Sequence, residues 1–131
     1  MATIRGTFAI ADWQEETLDE ADGVRTTRVV GRQSFSGGIE GEGRVAWLLC
    51  YRPDGSARFV GLQRIEGLVD GRSGSLVLES AGDHDGSSSS GTWTTVKGSG
   101  TGALGRASGS GSFRAPGGPT VEYELQLEED R

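Results

Sequence analysis

Ile39-Glu40-Gly41-Glu42-Gly43-Arg44-Val45-Ala46-Trp47-Leu48-Leu49-Cys50-Tyr51 is the stretch whose reading decides the fold. Val45, Trp47, Leu49 and Tyr51 occupy every second position. Glu40, Glu42 and Arg44 occupy the alternate ones. Successive side chains of a strand point to opposite faces, so this spacing predicts a β-strand with one apolar and one charged face.

The same period-two pattern recurs outward in both directions, and helical spacing hardly occurs. Residues 7–13 and 24–35 precede the stretch, the latter with Val29, Gly31, Gln33 and Phe35 on one face. Residues 58–69 follow, with Phe59, Ile65 and Val69 sharing a face. Leu76 and Leu78 mark a fifth strand, residues 91–96 a sixth and residues 111–114 a seventh. In the eighth, Val121, Tyr123, Leu125 and Leu127 alternate with Glu122, Glu124, Gln126 and Glu128. Pro53-Asp54-Gly55, Asp70-Gly71, Asp85-Gly86 and Pro116-Gly117-Gly118-Pro119 supply the turns. The one helix candidate is a single turn near Ala103-Leu104-Gly105-Arg106. About eight antiparallel strands on short loops predict a meander closed into a Gly-rich, lipocalin-like barrel. Its interior is either filled by side chains or holds one small ligand.

Composition sets the outer limits. The chain has 131 residues, which suits a single domain over 1–131. Gly supplies 23 of them, and its positions within strands fit bends and bulges of a curved sheet. The net charge of −6, with no basic cluster interleaved with aromatics, argues against nucleic acid as a partner. No stretch approaches the ~20 apolar residues of a membrane-spanning helix. The start of the chain has no leader-like apolar run, so the expectation is a cytoplasmic protein. Cys50 lies in an apolar run and reads as a buried thiol.

Several chemical motifs are present and fail on their context. Gly100-x-Gly102-x-x-Gly105 matches a dinucleotide fingerprint. The Gly/Ser-rich sequence behind it cannot form the helix whose N-terminus would hold a pyrophosphate. His84 is the only histidine, which excludes multi-histidine metal sites, and no nucleophile elbow supports a triad built on it. No cofactor or metal is expected.

The strand carboxylates are the more informative candidates. Glu40, Glu42 and Arg44 share one face, and two orientations are open. If they face inward, the barrel holds a charged interior of the kind that marks function. If they face outward, they are solvated; periodicity favours this. Trp13 and Trp93 line either a barrel mouth or an oligomer interface. A homo-oligomer is therefore open.

Phe35-Ser36-Gly37-Gly38-Ile39-Glu40-Gly41-Glu42-Gly43, Phe59-Val60-Gly61-Leu62-Gln63-Arg64, Gly71-Arg72-Ser73-Gly74-Ser75 and Gly91-Thr92-Trp93-Thr94 carry a resemblance. In order and spacing they resemble an uncharacterised bacterial family with an allene oxide cyclase-like barrel. The resemblance spans residues 6–127 and implies a central cavity, without bringing an activity. Members often carry Gln-His where this chain has Glu79-Ser80, and Pro where it has Lys97, so any role of that histidine is absent here or changed.

The leading functional expectation is a barrel that binds a small, largely apolar molecule. In its stronger form it is a cofactor-independent isomerase or cyclase for an apolar or polyketide-like substrate. Glu42 would act as acid or base, Tyr51 would polarise an oxygen, and Trp47, Gln63, Trp93 and Tyr123 would bind the substrate. The alternative is a non-catalytic oligomer acting through its surface. A weaker alternative is a hydrolase using the paired carboxylates Glu40 and Glu42.

Overall fold

The structure is a computed structural model, and it describes residues 2–129. The described chain is all-β, with β1 (Ala2–Ala21), β2 (Val24–Gly37), β3 (Ile39–Tyr51), β4 (Ala57–Val69) and β5 (Arg72–His84) forming a long meander. β6 (Ser89–Thr95), β7 (Thr101–Gly102), β8 (Ala107–Ala115) and β9 (Thr120–Glu129) complete it. One antiparallel sheet runs β4-β3-β2-β1-β9-β8-β6-β5-β7, and a further β4–β5 pairing closes eight of the strands into a ring. β7 is a two-residue addition beside Gly74 and Ser75 of β5. It makes the ninth strand, where the sequence reads only a glycine-rich connection.

Two-residue Asp-Gly turns set the register of two hairpins. Asp22 and Gly23 have φ of 54° and 81°, and Asp70 and Gly71 have 52° and 75°. These left-handed pairs match the twist of the strands they join. Register then follows residue by residue, as in Val45↔Gln63 and Gln63↔Leu78.

Closure of the ring divides its inside into three levels. One end is sealed by aliphatic side chains, among them Ile4, Ile39, Val69, Leu76 and Leu127. Leu104, carried on the turn after β7, is fully buried in the same core cluster. That segment is a turn, as expected, held by Leu104 N–H to Thr101 O and Ala107 N–H to Leu104 O.

The middle level is aromatic. Phe8 lies 5.1 Å from Phe35, 5.9 Å from Trp93 and 6.5 Å from Tyr123, centroid to centroid. Through this level runs a buried polar relay. Trp93 Nε1 donates to Gln63 Oε1 at 3.0 Å, and Gln63 Nε2 donates to Gln33 Oε1 at 3.0 Å. An indole is only a donor, so it fixes the orientation of Gln63 and, through it, that of Gln33. Gly43 makes room for the relay: a Cβ there would stand 2.8 Å from both Gln33 Oε1 and a Phe35 ring carbon. The third level is the opposite end of the ring, where a cavity opens.

The outer face settles one open orientation and corrects one expectation. Glu40, Glu42 and Arg44 point outward and are exposed, in line with the periodicity. Cys50 shares that parity and is exposed, so it is not a buried thiol. The strand-five position where the resembling family often has histidine holds Ser80, a buried acceptor for Trp47 Nε1 at 2.8 Å. No helix among the described residues is long and apolar enough to cross a membrane.

Candidate functional site

The open end of the ring holds a cavity of about 420 Å³. Pockets of a few hundred Å³ that are mostly apolar, with few polar groups, are the usual form of small-molecule sites. Its walls are aromatic, with Phe8, Trp47, Phe59 and Phe113 at the bottom and Trp13 at the rim. Trp13 packs on Trp47 at 6.1 Å and remains 47% exposed.

The rim is a single register row. Arg25, Tyr51, Ala57, His84, Ser89 and Ala115 are successive cross-strand partners from β2 through to β8. This row places three hydrogen-bonding side chains, Tyr51, His84 and Ser89, on the cavity. His84 Nδ1 and Ser89 Oγ are 2.7 Å apart.

Beside the rim, though not on the cavity wall, β1 carries an exposed carboxylate, Glu15. Glu15 Oε2 accepts from the Tyr51 hydroxyl at 2.7 Å and from Thr27 Oγ1 at 2.8 Å, and Glu15 Oε1 accepts from Trp13 Nε1 at 3.1 Å. Partial burial pushes the Glu15 carboxyl up. The bonds from Tyr51, Thr27 and Trp13, with the charge of Arg25, outweigh it and hold the group below its ordinary value. For Tyr51, burial comes first, and the bond to Glu15 and its charge add to it. Together they push the phenol up to about 12 against the opposing charge of Arg25, whose Cζ lies 4.6 Å over the ring. The pair is therefore a carboxylate and a neutral phenol at neutral pH.

A β-bulge brings Glu15 and Trp13 to the inner face. Ala11 pairs with Arg32 and Gln14 with Val30, so Asp12 and Trp13 together face Gly31. Asp12 takes a left-handed φ of 56° to make the bulge. Before it, even-numbered residues such as Phe8 and Ile10 line the inside; after it, odd-numbered ones do. A strict alternation read from Phe8 therefore assigns Glu15 to the wrong face. The acidic run Glu15-Glu16 beside Trp13 is the one signal in the sequence, and it carries no period.

The sequence candidates separate accordingly. Tyr51 and Trp47 line the cavity. Glu42 does not, because β3 turns it outward into a shallow polar groove with Arg32, Arg44, Arg64 and Glu66. Glu40 shares that outer face, so the two carboxylates form no interior pair. Gln63 and Trp93 lie in the relay beneath the cavity rather than on it. Trp93 is fully buried and so lies at neither a mouth nor an interface; Trp13 is at the mouth. Tyr123 is buried, and its hydroxyl donates to Ser36 O at 2.8 Å and accepts from Ile39 N–H at 2.9 Å, which ties β9 to the β2–β3 corner. Among the described residues, no group of three or more His, Cys, Asp or Glu is gathered closely enough to hold a metal ion.

Comparison with known proteins agrees with this architecture. A crystal structure of a protein with unknown function, of the DUF3224 family of Shewanella oneidensis MR-1, superposes with a TM-score of 0.86. It covers 100% of this chain and 98% of its own at 24% identity, a likeness of fold. No curated protein matches the chain. The model of one protein family matches residues 4–127, and on that match the chain belongs to DUF3224, a family described as protein of unknown function.

Proposed function

We propose that the ring is a small-molecule-binding barrel of the allene oxide cyclase-like kind, whose open mouth takes a small, largely apolar ligand. The observation that carries this reading is the cavity itself. It is about 420 Å³, walled by aromatic rings and bordered by the polar side chains Tyr51, His84 and Ser89.

In its stronger form the barrel is a cofactor-independent isomerase or cyclase. The walls hold a reactive chain in one folded conformer, and orientation alone contributes several kcal/mol. The acid–base role expected of Glu42 passes to Glu15, whose carboxylate touches the Tyr51 hydroxyl at the mouth. Tyr51 has one proton and gives it to Glu15, so it serves a substrate oxygen as donor only when the substrate displaces that bond.

The test is native mass spectrometry of the purified protein, together with the variant Ala115→Trp. Ala115 sits half-buried on the rim, so the larger ring narrows the mouth. The expected result is a small molecule retained at near-stoichiometric amount and lost in the variant. A wild-type protein that purifies empty, with no saturable change of tryptophan emission on adding aromatic compounds, overturns the reading.

One feature favours a second reading, an oligomer working through its surface. Leu48 and Val60 are direct cross-strand partners on the outer face, and Leu62 lies beside them. All three are about half exposed. The subunit count from the same spectra, and its collapse to a monomer in Leu48→Glu, decides it. A monomeric wild type removes it.

A further inference from the structure

Resting on the binding mouth proposed above, we infer that Ser89 and His84 form a nucleophile–base pair on its wall, and that the mouth hydrolyses esters whose acyl part is small and apolar.

The pair is made by the hairpin between β5 and β6. His84 and Ser89 are the last cross-strand partners of that hairpin, and both border the cavity. His84 Nδ1 and Ser89 Oγ stand 2.7 Å apart, within reach of a proton transfer from the hydroxyl to the ring. The ring accepts in the tautomer that carries its proton on Nε2. The turn that opposes the two residues is held by Asp85, whose Oδ1 accepts from the Ser87 and Ser88 N–H groups at 2.9 and 2.8 Å. A pair on a fixed turn needs little reordering before reaction.

The sequence runs through consecutive serines from Ser87 to Ser90, and the fold selects one of them. The hydroxyls of Ser87 and Ser88 donate to the Asp85 carboxylate. Ser90 is exposed and pairs with Arg114 on the outer face. Of this run, Ser89 alone borders the cavity.

The surroundings leave room for an acyl group. Along the rim row the pair is flanked by Ala57 and Ala115, which carry only a methyl group. At the next inward positions Gly82 and Gly91 are direct partners. A Cβ on Gly82 would stand 2.6 Å from Phe59 Cζ, and one on Gly91 would run into the Phe113 ring. The glycines therefore admit two aromatic rings beneath the pair. An apolar acyl group resting on those rings has its carbonyl carbon beside Ser89 Oγ. Gly118 also borders the cavity, and its N–H enters no backbone hydrogen bond among the described residues, which leaves it as a donor for an oxyanion.

Ser89 Oγ attacks the ester carbonyl while His84 Nδ1 takes the hydroxyl proton. The ring returns that proton to the leaving oxygen as the C–O bond breaks, which releases the alcohol and leaves an acyl group on Ser89. Water then attacks this ester, its proton passing through His84 to Ser89 Oγ as the acid departs. Ester and water give acid and alcohol, and no other reactant is needed.

The test uses para-nitrophenyl butyrate as substrate on the full chain. Butyrophenone, a ketone with the same acyl group and no leaving group, reports binding alone by calorimetry. The expected result is saturable turnover, with a butyryl group trapped on Ser89 in acid-quenched protein and mapped by peptide fragmentation. Ser89→Ala should lower turnover about 100-fold and keep butyrophenone binding, and so should His84→Gln, which retains an acceptor for the serine. Ser90→Ala should leave turnover unchanged. Turnover that survives Ser89→Ala or His84→Gln, or that falls equally in Ser90→Ala, overturns the pair. So does a butyryl group found on Ser87, Ser88 or Ser90 instead. Butyrophenone bound without turnover of the ester overturns the pair and leaves the binding mouth standing. Absence of both binding and turnover overturns the mouth and the pair together.

Discussion

Glu15 and Tyr51 depend on each other. The phenol donates to the carboxylate, so ionising Tyr51 or protonating Glu15 breaks the same bond. The two shifts give opposite pH dependences. Glu15 has a depressed folded-state value, so its contribution to stability is present above the ordinary carboxylate range and is lost as pH falls through that value. Tyr51 has a raised value, so its contribution is complete below its ordinary 10.0 and is lost as pH climbs to about 12. Tyr51→Phe should shift the Glu15 titration upward, toward the ordinary carboxylate range, as seen by carboxyl-detected NMR. The variant should lose about 1 kcal/mol of stability, as for one hydrogen bond. A Glu15 titration that does not move in Tyr51→Phe would show that the bond is not what holds the carboxyl down.

At the scale of elements, the two ends of the ring are built for different tasks. The turn after β7 inserts Leu104 among Leu76, Ile39 and their neighbours and closes one end. Its glycines, Gly100, Gly102 and Gly105, let the chain fold tightly enough to deliver that side chain. This is the structural use of a pattern that resembles a nucleotide loop. Leu104→Ala should cost about 2–5 kcal/mol in denaturant unfolding, the range for truncating a fully buried leucine. It should leave probe binding at the mouth unchanged, because the lesion lies at the other end. Coupled loss of both would show that the ends are not independent. At the mouth, β1 runs on past its pairing with β9, which covers residues 2–9 only, so residues 10–21 are held through β2 alone. Bulges at Asp12-Trp13 and at Leu18, with acidic side chains along the segment, blunt this edge against pairing with other chains.

For the molecule as a whole, the decisive contact is the longest in sequence. Ala2–Ala9 pairs with Thr120–Leu127, so the seam that closes the ring joins the two ends of the chain. β9 also carries Tyr123, whose hydroxyl holds the β2–β3 corner, and Leu125 and Leu127 of the sealed end. Removing β9 therefore opens the core rather than trimming an edge. A chain ending at Pro116 should lose its cooperative thermal transition altogether, as followed by circular dichroism. A truncated chain that still melts cooperatively would show that the remaining strands hold a core without closure.

The sequence by itself determined the class of fold, most of the strands and which residues of β2, β3 and β9 share a face. Alternation in Val45-Trp47-Leu49 and in Val121-Tyr123-Leu125-Leu127 is a local property of the pleat, and burial of one face follows from it without reference to distant residues. Periodicity favoured the outward sense of Glu42 and left both orientations open; the tertiary structure decided it. The extension of β1 to Ala21, the inward turn of Glu15 and the identity of the mouth were decided only by the tertiary structure. Each depends on a bulge, which adds one residue and exchanges the two faces downstream, and no period in the sequence marks where that residue falls. Which end of the ring stays open depends likewise on where Leu104 lands, a contact with residues distant in sequence.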